Sequence, residues 1–303
     1  MSSTTTATLK VPGASLHYEV TGSGPLLLMI PGAPADAGVF AALAAQLADR
    51  YTVATYDWRG SARSPLDQPP GDLPEGLPMR VQGDDAAHLL AALDAGPAYV
   101  LGCSGGALTG LDLAARHPAR VDTLVAHEPP AWNLLPDSAG WRAAFQAVVD
   151  CYRRDGIGPA MQQFIATAVR TGGPPPADGP PPADGHPAPP SQEQAPPPPD
   201  MSQMPPEMAE TMARMQVNSQ FFLACLLPAT MNHTPDITAL RAASPRIVVG
   251  AGDDSAGQMP HQAALALAQR LGVTSVSFPG DHQGFAAHPG PFADAVDKAL
   301  RES

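Results

Sequence analysis

Short unbroken apolar runs alternate along this chain with stretches whose apolar residues recur at helical spacing. Ala7–Val11 and Ser15–Val20 read as two strands joined by a turn at Pro12-Gly13. Leu26–Ile30 is apolar at every position, as a strand covered on both faces should be. Thr52–Tyr56, Ala98–Leu101, Val121–His127, Arg246–Gly250 and Ser275–Phe278 supply the remaining strands. Helical patterns fill the gaps at Ala35–Leu47, Asp84–Leu93, Ala107–His117, His261–Leu271 and Pro291–Leu300. Strand and helix in turn predict a mostly parallel sheet with helices on both faces.

The pattern changes over residues 131–243. Helical segments there carry Trp132, Trp141, Phe145 and Tyr152, and later run from Met208 to Leu227. Between them, residues 172–206 are rich in proline and hold a tandem repeat, Pro174–Gly179 followed by Pro180–Gly185. Proline has no amide donor for a helix or a ladder, so this segment predicts a polyproline-like or disordered loop. A surface insertion is the plain reading, and a motif for a proline-binding partner the alternative. The methionines at 201, 204, 208, 212 and 215 include helical spacings, which suit packing within this helical region or an adaptable pocket wall. The organisation expected is a core of residues 1–130 and 244–303, with a helical cap at 131–243.

Composition narrows the functional classes. The 303 residues suffice for one large core plus an insertion. A formal charge of −12 and the lack of basic clusters argue against nucleic acid and anionic membrane surfaces. Met1–Lys10 has no apolar core of a secretory leader, and no run approaches the roughly 20 apolar residues of a membrane span. Cys103, Cys151 and Cys225 are odd in number and form neither a zinc pattern nor a disulfide framework. A soluble cytoplasmic protein is the expectation.

The chemistry centres on Gly102-Cys103-Ser104-Gly105-Gly106. An apolar strand precedes this pentapeptide and a helical pattern follows it, the setting of a nucleophile elbow. Such a turn needs residues almost free of side chain two positions before and two after the serine, and glycine meets that need. Cys103 is then the small variable residue of the turn.

With Pro31-Gly32-Ala33 after the third strand, Tyr56–Ser64 after the fourth, the elbow at Ser104 and Pro279-Gly280-Asp281-His282 after the last, the chain resembles the α/β-hydrolase superfamily. The resemblance covers everything except the proline-rich segment. It implies an eight-stranded, mostly parallel sheet with helices on both faces and an inserted helical cap. A serine hydroxyl needs a base within hydrogen-bond reach, and His282 stands where the superfamily keeps its histidine. The acid has two candidate positions. Asp253 and Asp254 follow the strand Arg246–Gly250, the commoner place. Glu128 follows Val121–His127, where haloalkane dehalogenases and related luciferases carry theirs. A glutamate between an apolar strand and Pro129-Pro130 is expected to be buried, which is costly without a partner, whereas Asp253-Asp254-Ser255 reads as a solvated turn. Glu128 is therefore preferred, with the aspartates as the alternative and a helix-capping role as its plain reading. The oxyanion hole would come from the N–H groups of Gly105 and Ala33. The superfamily usually has His-Gly where this chain has Pro31-Gly32, which removes a buttressing side chain but keeps the donor. Asp57, Arg59 and Ser64 match a structural turn.

These residues imply a serine hydrolase acting on an uncharged ester, lactone or thioester, with a small molecule as its partner and no cofactor or metal. Epoxide hydrolases and dehalogenases use an aspartate in place of Ser104. A carbon–carbon hydrolase, perhydrolase or acyl transferase, or a noncatalytic small-molecule binder, stands as the alternative on the same scaffold.

Overall fold

The structure, a computed structural model, describes residues 4–68, 77–94, 96–175 and 206–302. Most of the proline-rich segment and its tandem repeat lie outside the described residues. In chain order the strands are β1 (Thr5–Val11), β2 (Ala14–Gly22), β3 (Leu26–Ile30), β4 (Thr52–Tyr56), β5 (Ala98–Cys103), β6 (Val121–His127), β7 (Arg246–Gly252) and β8 (Val276–Phe278). The helices are α1 (Ala41–Leu47), α2 (Met79–Ala92), α3 (Gly105–Arg116), α4 (Ser138–Asp155), α5 (Ile157–Ala168), α6 (Pro206–Phe221), α7 (Leu227–Met231), α8 (Ile237–Ala242), α9 (Met259–Leu271), α10 (Gly284–Ala287) and α11 (Pro289–Arg301).

All the strands join one sheet in the order β1-β2-β4-β3-β5-β6-β7-β8. β2 runs antiparallel to β1 and β4, and the other pairs are parallel. The five residues of β3 are all buried, and they alternate between two apolar layers. Leu28 and Ile30 join the layer of α2, α3 and α9, while Leu27 and Met29 join that of α1 and α11. The chain leaves β3 for β4 on one side and returns to add β5 on the other. The loops after β3 and β5 therefore diverge and open a crevice at the carboxyl edge, where sheets of this kind bind ligands.

Helices α4 to α8 occupy the chain between β6 and β7. Trp132 stacks on Phe145 with ring centroids 4.3 Å apart, and Phe164 meets Phe222 edge-on at 4.8 Å. The stretch Met208–Leu227 is helical as expected, with a π-helical turn at Phe222–Leu226 leading into α7. Pro228 has no N–H for the carbonyl of Ala224, so the α ladder is interrupted there. Met215 is exposed rather than packed. Contact with the core is made by Asn218, whose Oδ1 accepts from the Ala62 N–H at 3.0 Å, and by the Phe221 ring lying over Gly60. Among the described residues no helix is long and apolar enough to cross a membrane.

The turn after β4 is held by buried charge. Asp57 accepts from the Ala37 N–H at 2.9 Å, and Ser64 Oγ donates to the Asp57 carbonyl at 3.0 Å. Arg59 makes a paired contact with Asp85 of α2, its Nε donating at 2.6 Å to a carboxylate that is fully buried. Removing one partner strands the other charge without water. Asp85→Ala is expected to cost about 3–5 kcal/mol in urea unfolding. A loss below about 1 kcal/mol would show that solvent reaches Arg59.

Candidate active site

Ser104 sits between β5 and α3 with φ 55° and ψ −124°. A β-carbon added at Gly102 would meet the Gly106 carbonyl oxygen at 2.4 Å, and one at Gly106 would meet that of Ile30 at 2.1 Å. Both positions accept only hydrogen, and the tight turn leaves Ser104 partly exposed above the sheet edge. Its own N–H is bonded to the His127 carbonyl at 2.9 Å, which joins the elbow to the end of the neighbouring strand.

Glu128 follows directly. It too has a positive φ, 45°; with Asp94, Ser104 and Glu128 are the non-glycine residues in that region among the described residues. Strain of this kind persists only where surrounding contacts enforce it, and it concentrates at functional sites. Here the enforcing contacts are a hydrogen bond from the Glu128 N–H to the Gly250 carbonyl at 3.0 Å and those made by the carboxylate. The carboxylate is fully buried. His282 Nδ1–H donates to Oε2 at 2.7 Å, the Gly252 N–H donates to Oε1 at 2.9 Å, and the Ser255 hydroxyl donates to Oε1 as well. Burial pushes the carboxyl up, but the His282 bond and charge, His127 and Ser255 together outweigh it and hold Glu128 at about 2. It caps no helix: the turn Trp132–Leu134 has Ala131 at its cap.

Asp253 and Asp254 lie exposed in the short turn after β7. Asp253 is engaged by the Ser277 hydroxyl, and the structure brings neither aspartate to His282. Of the two candidate acid positions, the one directly after β6 meets the histidine. With Nδ1 committed to Glu128, Nε2 is the other ring nitrogen of His282. Ser104 Oγ and His282 share no hydrogen bond here, a contact that tightens in such sites when substrate binds.

Ala33 and Gly105 border one small space. A methyl group on Gly105 would lie 3.8 Å from the Ala33 nitrogen and 3.9 Å from the Trp58 ring. Gly105 is the first residue of α3, so its N–H has no carbonyl one turn back.

A model of the α/β hydrolase fold matches residues 25–176. An uncharacterized hydrolase of Bacillus subtilis strain 168, YraK, is 32% identical over 299 residues, covering 97% of this chain and 96% of the relative. The chain belongs to the α/β-hydrolase family. The enol-lactonase of Burkholderia xenovorans LB400 superposes with a TM-score of 0.68 at 18% identity, over 98% of this chain and 100% of that one. A thermophilic esterase of Thermogutta terrifontis does so with a TM-score of 0.66 at 22% identity, over 99% and 98%. At these identities the likeness is one of fold.

Three residues of this hydrolase's site escaped the sequence reading: His127, Ser255 and His261. Ser255 and His261 reach Glu128 from the turn after β7 and from α9, and no local pattern marks them. His127 is fully buried among Phe278, Phe292 and the His282 ring, and its ring nitrogens have no partner among the described residues. Burial drives its pKa down from 6.5 to about 4, Glu128 opposing only in part. A depressed folded value means that the unfolded chain takes up the proton first. Stability is therefore complete above pH 6.5 and is lost as the pH falls toward 4. His127→Phe keeps the ring packing and is expected to remove about 3 kcal/mol of that acid sensitivity. Parallel stability curves for the two proteins across this window would refute it.

Cys103 is buried, and desolvation with the Glu128 charge raises its thiol pKa, which suits packing rather than attack.

Proposed function

We propose that this hydrolase cleaves a small uncharged ester, lactone or thioester through an acyl-enzyme formed on Ser104. The observation that carries the reading is the buried Glu128–His282 pair at 2.7 Å, set beside a strained serine at the adjacent strand end. Ser104 Oγ attacks the carbonyl carbon while His282 Nε2 takes its proton. The imidazolium so formed is stabilised by the ionised Glu128, and the N–H groups of Gly105 and Ala33 receive the negative oxygen. His282 then gives its proton to the departing alcohol or thiol. Water, activated by the same nitrogen, attacks the acyl-enzyme and releases the acid. A chain of formal charge −12 favours an uncharged substrate over an anionic one. The esterase and enol-lactonase that share the fold act on bonds of this class by their names.

The test is covalent labelling of the full chain by a fluorophosphonate, followed by turnover of p-nitrophenyl esters of graded length and a few lactones. Labelling at Ser104 with turnover of a short ester is the expected result. A chain that neither labels nor turns over any of them is a binder on a hydrolase scaffold.

A further inference from the structure

Glu128 has two carboxylate oxygens, and His282 uses one of them. The other, Oε1, receives the Gly252 N–H at 2.9 Å and the Ser255 hydroxyl. Ser255 is fully buried and has a single proton for two acceptors, this carboxylate and the Gly252 carbonyl at 3.0 Å. The charged acceptor is the stronger, so the proton goes to Glu128. His261 of α9 approaches the same point, with Nδ1 3.2 Å from the Gly252 carbonyl, 3.3 Å from Ser255 Oγ and 3.7 Å from Glu128 Oε1. A carbonyl oxygen only accepts, so the proton of neutral His261 is on Nδ1. With the proton there, His261 shares it between the Gly252 carbonyl and Ser255 Oγ, and Ser255 donates to Glu128, whose far oxygen holds His282. His261 also lines a surface recess of about 220 Å³ together with Leu265, Ser275 and Ser277, and its ring is partly exposed.

We propose that Ser255 and His261 are positioning residues that hold the far oxygen of Glu128 and thereby set the basicity of His282. The inference rests on the reading of Glu128 and His282 as acid and base. A carboxylate that gives up a hydrogen bond concentrates its charge on the remaining partner and binds that partner's proton more tightly. Loss of Ser255 therefore makes His282 more basic. Loss of His261 acts in the same direction through Ser255. The other titratable groups around the pair are His127 at the end of β6, Cys103 at the end of β5, Asp281 in the loop before His282, and the exposed Asp253 and Asp254. None of these stands between Ser255 and the carboxylate. A purely structural Ser255 would alter stability and leave the titration of His282 where it was.

The test follows His282 by NMR in the intact chain with labelled histidine, its signals assigned by their absence in His282→Gln. Wild type, Ser255→Ala and His261→Leu are titrated, and ester kinetics are measured against pH alongside. Ser255→Ala is expected to raise the His282 midpoint by about half a unit to one unit, and His261→Leu by roughly half as much. The kcat of Ser255→Ala should fall by about tenfold with KM changed less than about twofold. If both variants titrate with the wild-type midpoint, the proposal is overturned. Should Ser255→Ala fail to fold, His261→Leu, altered at a partly exposed ring, decides alone. The NMR readout needs no turnover, so a wild-type chain inert to fluorophosphonate would refute the hydrolase reading while the titrations still judged the relay.

Discussion

Ser104→Ala is expected to keep the fold and lose ester turnover by about three orders of magnitude or more. Alanine places the same β-carbon on the same strained backbone, so the glycine contacts of the elbow and the bond from residue 104 to the His127 carbonyl survive. Only the oxygen that attacks is lost. Three orders of magnitude correspond to about 4 kcal/mol of transition-state stabilisation, far more than the removal of one surface hydroxyl could change. Labelling by fluorophosphonate should disappear with turnover, while the melting temperature stays within a few degrees of wild type. Turnover retained in the purified variant would place the nucleophile elsewhere.

Glu128→Gln is expected to lower turnover by roughly two to four orders of magnitude. The amide is nearly the same shape and remains in the buried site, but it carries no charge to balance imidazolium. It can also present its NH2 group to His282 and stabilise the wrong tautomer. Asp253→Asn and Asp254→Asn should each stay within about tenfold of wild type, as changes in an exposed turn. The comparison of the three variants discriminates between acid positions in a way that no single variant does. A larger loss at either aspartate than at Glu128 would reverse the assignment.

Much of this architecture can be read from residue pattern because strands buried on both faces have few alternatives. Leu26–Ile30, Thr52–Tyr56 and Val121–His127 have the bounds their apolar runs predict. Helix starts are less visible: α2 begins at Met79 rather than Asp84, since its first turn carries no charged cap to announce it. The π-helical turn before Pro228 needed backbone geometry, although the proline itself was in view. The elbow is legible because its glycines answer a steric demand within five residues. Glu128 could be favoured over the aspartates on the cost of burying a charge, a one-dimensional argument that happens to depend on local sequence alone. Ser255 lies 127 residues from its partner Glu128, and His282 lies 154 residues from it. Contacts at such separations leave no periodicity behind. They are created by the sheet, which sets β6 against β7 in parallel register.

Placing the proposed acid after β6 rather than after β7 has a consequence for how this scaffold can be altered. The proposed nucleophile and acid directly follow adjacent strands, and one ladder, with Cys103 opposite His127, fixes their spacing. The exposed side chains of the following turn are thereby relieved of any duty toward the histidine. Asp253 and Asp254 become a site where a reporter group, an affinity handle or a surface charge can be introduced close to the chemistry without entering it. Ser255, one residue further on, marks where that freedom stops.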